Sequence, residues 1–165
     1  MITDIEQANE FIFNYNWYES RSRNQEQEIE VLRNCEALAI EHQQYKLLFR
    51  TRAYMTSYYT HINNLIAALE IGNQNYKDCT KQVYTDELLM TLSFLITIHQ
   101  ILGNYSQSEM YINICKEYIY KLDDIKKRCN IHIVAAVQYN YTGDTEKCIS
   151  ENEQALKYAN ILNDN

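Results

Sequence analysis

The sequence predicts an all-α protein built from antiparallel helix pairs, and three observations carry that prediction. There is no proline and there are only three glycines in 165 residues, too little material for turn-dense all-β folds. Helices then stop only where glycine, asparagine or a capping side chain stops them. Apolar residues recur at three- and four-residue steps, in Leu88, Leu89, Leu92, Leu95 and Ile96 and again in Met110, Tyr111, Ile114, Cys115, Tyr118 and Ile119, the period of a helix face. Two turn signals, Gly103-Asn104-Tyr105 and Gly143-Asp144-Thr145, lie between such stretches and leave room only for a tight helix-to-helix connection.

Each element follows in order. Thr3-Asp4-Ile5-Glu6 fits a capping box, Thr3 meeting an orphan amide and Glu6 reaching back. Glu26, Glu28 and Glu30 alternate around a helix and read as solvated charges of its first turn. Gly72-Asn73-Gln74-Asn75-Tyr76 reads as a turn. Leu88 to Leu102 is the most apolar stretch, 15 residues interrupted by Thr91, Ser93, Thr97, His99 and Gln100. A membrane span needs about 20 predominantly apolar residues, so this is a buried helix. Lys126-Lys127-Arg128 reads as helix C-terminal charge. Ile131, Val134, Ala135 and Tyr139 precede the second turn, and Cys148, Ala155, Leu156, Ala159 and Ile161 follow it.

Four segments close alike: Glu36-Ala37-Leu38-Ala39-Ile40, Ala67-Ala68-Leu69-Glu70-Ile71, Ile114-Cys115-Lys116-Glu117-Tyr118 and Gln154-Ala155-Leu156-Lys157-Tyr158. With Ala37, Ala68, Cys115 and Ala155 as equivalents, the steps are 31, 47 and 40 residues, around the roughly 34- to 47-residue period of helical-hairpin repeats.

Composition narrows the function. A net charge of −7 provides no basic excess for phosphate, which argues against nucleic acid as a partner of this domain. The five cysteines form an odd set without a CxxC pair and read as reduced thiols of a cytoplasmic protein. Met1 to Glu6 has neither the basic nor the apolar region of a signal peptide. No phosphate-cradling glycine motif and no HExxH occurs. Cys129 and His132, three apart, read as a small core residue beside a semi-exposed histidine rather than a metal site. Neither a catalytic residue nor a cofactor is predicted. The fifteen tyrosines are spread over both kinds of helix and read mostly as interhelical packing with wet hydroxyls.

Gly103-Asn104-Tyr105-x-x-Ser108 and Gly143-Asp144-Thr145-x-x-Cys148 resemble the Gly-Asp/Asn-Tyr-x-x-Ala turn of tetratricopeptide repeats. Ala155-Leu156-Lys157-Tyr158-Ala159 is similar to the Ala-Leu ending of that family's second helix. The resemblance is strong over 86–162 and weak over 11–71. Thr56-Ser57-Tyr58 stands where a glycine turn is missing between Tyr45 and Tyr59, and Ile96 and Ala136 take the family's small mid-helix position. The resemblance implies a tetratricopeptide-like right-handed superhelix of about four antiparallel helix pairs, one helical-repeat domain over residues 1–165. First helices of the two clear repeats would start near Leu89 and Cys129.

A concave face lined by first helices is implied too. Carried over from the turn glycines, it comprises Met90, Ser93, Thr97 and Gln100, then Asn130, Ile133, Val137, Asn140 and Tyr141, with Lys46, Arg50 and Tyr54 from the second repeat. Lys46 and Arg50 would either hold a ligand carboxylate or stay as solvated charges. Divergent, long-period members of the family resemble helical sensor regions of low-GC bacterial signalling proteins. The resemblance therefore implies a cytoplasmic, non-enzymatic module that binds a peptide or protein segment, as the sensor or interaction region of a signalling protein or transcription regulator. A dimerisation or adaptor scaffold, working as a homodimer, is the alternative; neither reading involves a membrane. Ending on Asn163-Asp164-Asn165 without a polar capping helix, the chain is expected to be a piece of a longer protein or a protomer whose end packs on a partner.

Overall fold

The computed structural model describes residues 2–15, 25–122 and 124–163. Every regular element among these residues is an α-helix: α1 (Ile5–Phe13), α2 (Gln25–Glu41), α3 (Tyr45–His61), α4 (Leu65–Gln82), α5 (Thr85–Ile101), α6 (Tyr105–Ile119), α7 (Ile125–Thr142) and α8 (Thr145–Asn163). Odd-numbered helices start at Ile5, Tyr45, Thr85 and Ile125, even-numbered ones at Gln25, Leu65, Tyr105 and Thr145. Both series advance by 40 residues at every step.

That uniform register corrects the expected steps of 31 and 47. The partners of Cys115 and Ala155 are Cys35 and Asn75, and all four are buried, whereas Ala37 is exposed. Ala-Leu dipeptides report helix propensity; the packed position is set by distance from the turn.

The turns explain the register. Gln43, Asn63, Val83, Gly103 and Gly143 all have positive φ, between 54° and 74°. Past each one, the next N–H donates to the carbonyl five residues back: Gln44 to Ala39 (2.9 Å), Asn64 to Tyr59 (2.8 Å), Tyr84 to Cys79 (3.3 Å), Asn104 to His99 (2.8 Å) and Asp144 to Tyr139 (2.9 Å). These are left-handed helix stops of the Schellman type. Glycine marks only two of the five, which is why the earlier turns are missing from a glycine-based reading. The helices that the two glycine turns close start about one turn sooner than expected, at Thr85 and Ile125 rather than Leu89 and Cys129.

Other local expectations shift as well. The first cap is Asp4, accepting from the Gln7 amide at 2.9 Å, while Gln7 reaches back to the Thr3 N–H at 3.2 Å. The box thus stands one residue later than Thr3–Glu6. Helix α4 runs unbroken through Gly72–Tyr76. There Asn75, fully buried, donates to the Phe49 carbonyl and to Thr91 Oγ1, both at 2.8 Å; tertiary hydrogen bonds outweigh its preference for turns. Thr51, Thr56 and Thr60 satisfy their hydroxyls on the carbonyls of Leu47, Arg52 and Thr56, so α3 tolerates polar residues inside. Glu28 is buried and accepts from the Tyr15 hydroxyl, and is therefore not a solvated charge. Lys126-Lys127-Arg128 lies in the first turn of α7, not at a C-terminus. Arg128 nevertheless reaches the carbonyl of Leu122 (2.7 Å) past the end of α6.

The chain divides into two compact units, Met1–Phe94 and Leu95–Asn165, with the boundary inside α5. In the first, α1 packs on α2 and α3, α2 on α3, and α3 on α4. Its core gathers Ile12, Leu32, Leu47, Phe49, Leu88 and Leu92, each essentially out of water and each contributing about 1.5–3 kcal/mol through burial. In the second unit α6 packs on α7 and α7 on α8, around Leu95, Ile96, Ile98, Ile112 and Ala135. No helix among the described residues is long and apolar enough to cross a membrane.

Candidate functional site

The expected face residues fall into both units. In the first unit, Lys46 and Arg50 stand one turn apart on α3 and share the ring of Phe13, at 5.6 and 4.6 Å from its centre. Arg50 Nη2 also lies 2.9 Å from an oxygen of Glu87, whose side chain is 2% exposed. The chain thus supplies Arg50 with both an aromatic face and a carboxylate of its own. Tyr54 packs against Tyr15, ring centres 4.3 Å apart. Burial pushes its phenol upward in pKa, with Arg50 pulling it down and Glu87 adding to the rise. Ser93 is exposed and donates to the Met90 carbonyl.

In the second unit Thr97 is exposed and Gln100 is half-buried, its amide donating to Gln138 at 3.1 Å. Gln138 itself is buried; it accepts from Ser108 at 2.9 Å and donates to the Tyr105 carbonyl at 2.9 Å. On α7, Asn130, Ile133, Val137, Asn140 and Tyr141 form one exposed stripe. Its apolar members are well open, Ile133 at 47%, Val137 at 42% and Tyr141 at 61% exposure. The Tyr141 ring lies nearly parallel to that of Tyr105, centres 6.3 Å apart, which gives the stripe an aromatic wall at one end. By contrast the equivalent positions on α3, Ala53 and Ser57, are buried.

Sequence reasoning missed a polar node around His132. The imidazole is buried, not semi-exposed. Nδ1 is 2.6 Å from Glu151 and Nε2 is 2.8 Å from the Tyr120 hydroxyl, Lys116 pairs with the other Glu151 oxygen, and Tyr158 stacks on the ring at 5.6 Å. Burial raises the Tyr120 phenol, helped by Tyr158 and Glu151. With both ring nitrogens hydrogen-bonded and the ring enclosed, the node joins α6, α7 and α8 and offers no nitrogen to a substrate. Cys129 turns its thiol to the Ala155 carbonyl at 3.4 Å instead. Burial holds Cys35 up to about 11 and Cys79 and Cys115 up to about 12, so these thiols are poor nucleophiles. No group of three His, Cys, Asp or Glu side chains placed to hold a metal occurs among the described residues.

In the first unit Arg52 bridges Glu36 (2.7 Å) and Asp78 (3.3 Å). Beside it, Glu36, Glu70, Ile71 and Gln74 line an open cleft of about 230 Å³, small against the roughly 300–1,000 Å³ of ligand pockets. Of these features the α7 stripe is the one that presents apolar, amide and aromatic groups together to solvent.

No protein-family model matches the chain, and no curated protein matches it either.

Proposed function

We propose that the chain is a tetratricopeptide-like stack of four antiparallel helix pairs, wound as a right-handed superhelix, that binds a peptide or protein segment along its first helices. The stripe on α7 carries this reading: Ile133 and Val137 offer apolar contact, Asn130 and Asn140 offer amide donors and acceptors, and Tyr141 offers a ring. The 40-residue step of the helix starts supports it, lying within the period of helical-hairpin repeats. Because Arg50 already has Glu87 and Phe13, the weight of recognition moves from a Lys46–Arg50 carboxylate clasp to the uncharged α7 face.

In this reading the module is non-enzymatic and cytoplasmic. It serves as the sensor or interaction region of a bacterial signalling protein or transcription regulator, without nucleic acid or membrane as its own partner. Binding would favour one curvature of the stack over another and so bias an attached output domain. Photo-cross-linking tests it: a photoreactive residue at Val137 should trap a polypeptide in the host cell, and one at Glu153, exposed on α8, should not. Equal yields at both positions, or none at Val137, would count against the reading.

A further inference from the structure

The exposed stripe on α7 is its own complement. Asn130, Ile133, Val137 and Asn140 are spaced three, four and three residues apart, the a/d spacing of a helix–helix seam. The pattern also reads the same in both directions: Asn130 with Asn140, and Ile133 with Val137, are centred on residue 135. Continued outward, the next pair about that centre is Lys126, exposed in the first turn of α7, and Asp144, partly exposed just past the Gly143 stop, where it caps α8 and pairs with Lys147 at 3.2 Å.

From this we infer that α7 pairs antiparallel with α7 of a second copy, forming a two-fold dimer seam. The inference rests on the reading of this face as protein-binding and names its occupant. An isologous interface must be self-complementary, and antiparallel pairing about residue 135 meets that condition at each level. Ile133 packs on the partner's Val137, Asn130 bonds to the partner's Asn140, and Lys126 faces the partner's Asp144. A parallel arrangement would set Lys126 against the partner's Lys126, and each Asp144 would keep only its own Lys147. Tyr141, braced by Tyr105, closes each end of the seam over the partner's Lys126–Asn130 turn. A seam of one helix per protomer is small, so the dimer is reversible and concentration-dependent.

Sedimentation equilibrium on the full chain tests this between about 10 µM and about 1 mM, the range of small transient interfaces. The wild type should dimerise reversibly, and Ile133→Asp and Val137→Lys should each lower the association constant at least about tenfold. Mixed together, the two variants should recover association as a one-to-one heterodimer, because Asp at 133 of one copy then faces Lys at 137 of the other. Both positions are solvent-exposed, and unchanged circular dichroism will show that the variants are folded. A wild type that stays monomeric throughout, variants that still dimerise, or a mixture that does not recover would each overturn the inference. If the wild type is monomeric yet a residue at Val137 cross-links a different polypeptide, the protein-binding reading survives and self-pairing falls. If it is monomeric and nothing cross-links, both fall.

Discussion

Arg52 of α3 and His132 of α7 hold the same register two 40-residue steps apart, and each is the centre of a polar node. The surrounding positions correspond too, Glu36 with Lys116 and Asp78 with Tyr158. Between them the register is apolar: Leu92, fully buried, stands where Arg52 and His132 do. Directional nodes at alternate steps fix how a first helix rotates between two second helices, which apolar packing alone leaves loose. His132→Leu should therefore cost about 1–3 kcal/mol in urea unfolding, since it takes from the Tyr120 hydroxyl one of its two side-chain partners, leaving Tyr158, and leaves Glu151 only Lys116. Unchanged stability would show that Leu packing suffices there, as it does at Leu92.

The buried amides make a second prediction. Asn75→Ala should destabilise by about 2–3 kcal/mol, combining a lost pair of hydrogen bonds with a small cavity. Gln138→Ala should cost a similar amount, because it removes the acceptor of Ser108 and Gln100 and the donor to the Tyr105 carbonyl. A double-mutant cycle of Ser108→Ala with Gln138→Ala should give a coupling energy above about 0.5 kcal/mol. Additive losses would mean that the bond does not persist in solution.

Val83 is a β-branched residue at φ 60° and is 79% exposed, so it carries backbone strain without packing in return. Val83→Gly should raise stability by about 1 kcal/mol. Gly103→Ala and Gly143→Ala should each lower it by about 1–2 kcal/mol, even though a methyl group at either site meets nothing within 4 Å. Thermal melts that rank these three differently would contradict the shared turn geometry.

Acid should weaken the helix starts of the second unit. Backbone N–H bonds from Lys127 and Lys147 are the chief cause holding Asp124 and Asp144 below the ordinary carboxylate pKa. A pKa lowered in the folded state adds stability that is present above the unfolded value of about 4 and is lost as pH falls through the folded value. The double variant Asp124→Asn/Asp144→Asn keeps both caps but cannot titrate. Its melting temperature should fall less than the wild type's below about pH 4, and identical acid profiles would remove these two groups as the cause.

How far the sequence revealed all this depended on which residues stopped the helices. After Leu88 the pairs were legible because Gly103 and Gly143 announce the left-handed stop, and the α7 stripe could be counted back from Gly143. Before Leu88 the same stop is made by Gln43, Asn63 and Val83; only asparagine among them tolerates positive φ readily, and Gln43 and Val83 are held there by the helices they join. Contacts between distant positions were invisible for another reason. Arg50 with Glu87 and His132 with Glu151 are brought together by tertiary packing, and no local pattern reports it. The 40-residue register would have aligned Arg52 with His132, and the misplaced Ala37 and Ala68 concealed it.

Native mass spectrometry of the chain purified from its own host, beside Val137→Asp, tests the claim that the α7 face binds protein most directly. The account predicts that the wild type carries a second copy or another polypeptide and that the variant, equally folded, loses it. A wild type that flies as a bare monomer, or a variant that keeps its partner unchanged, would contradict it.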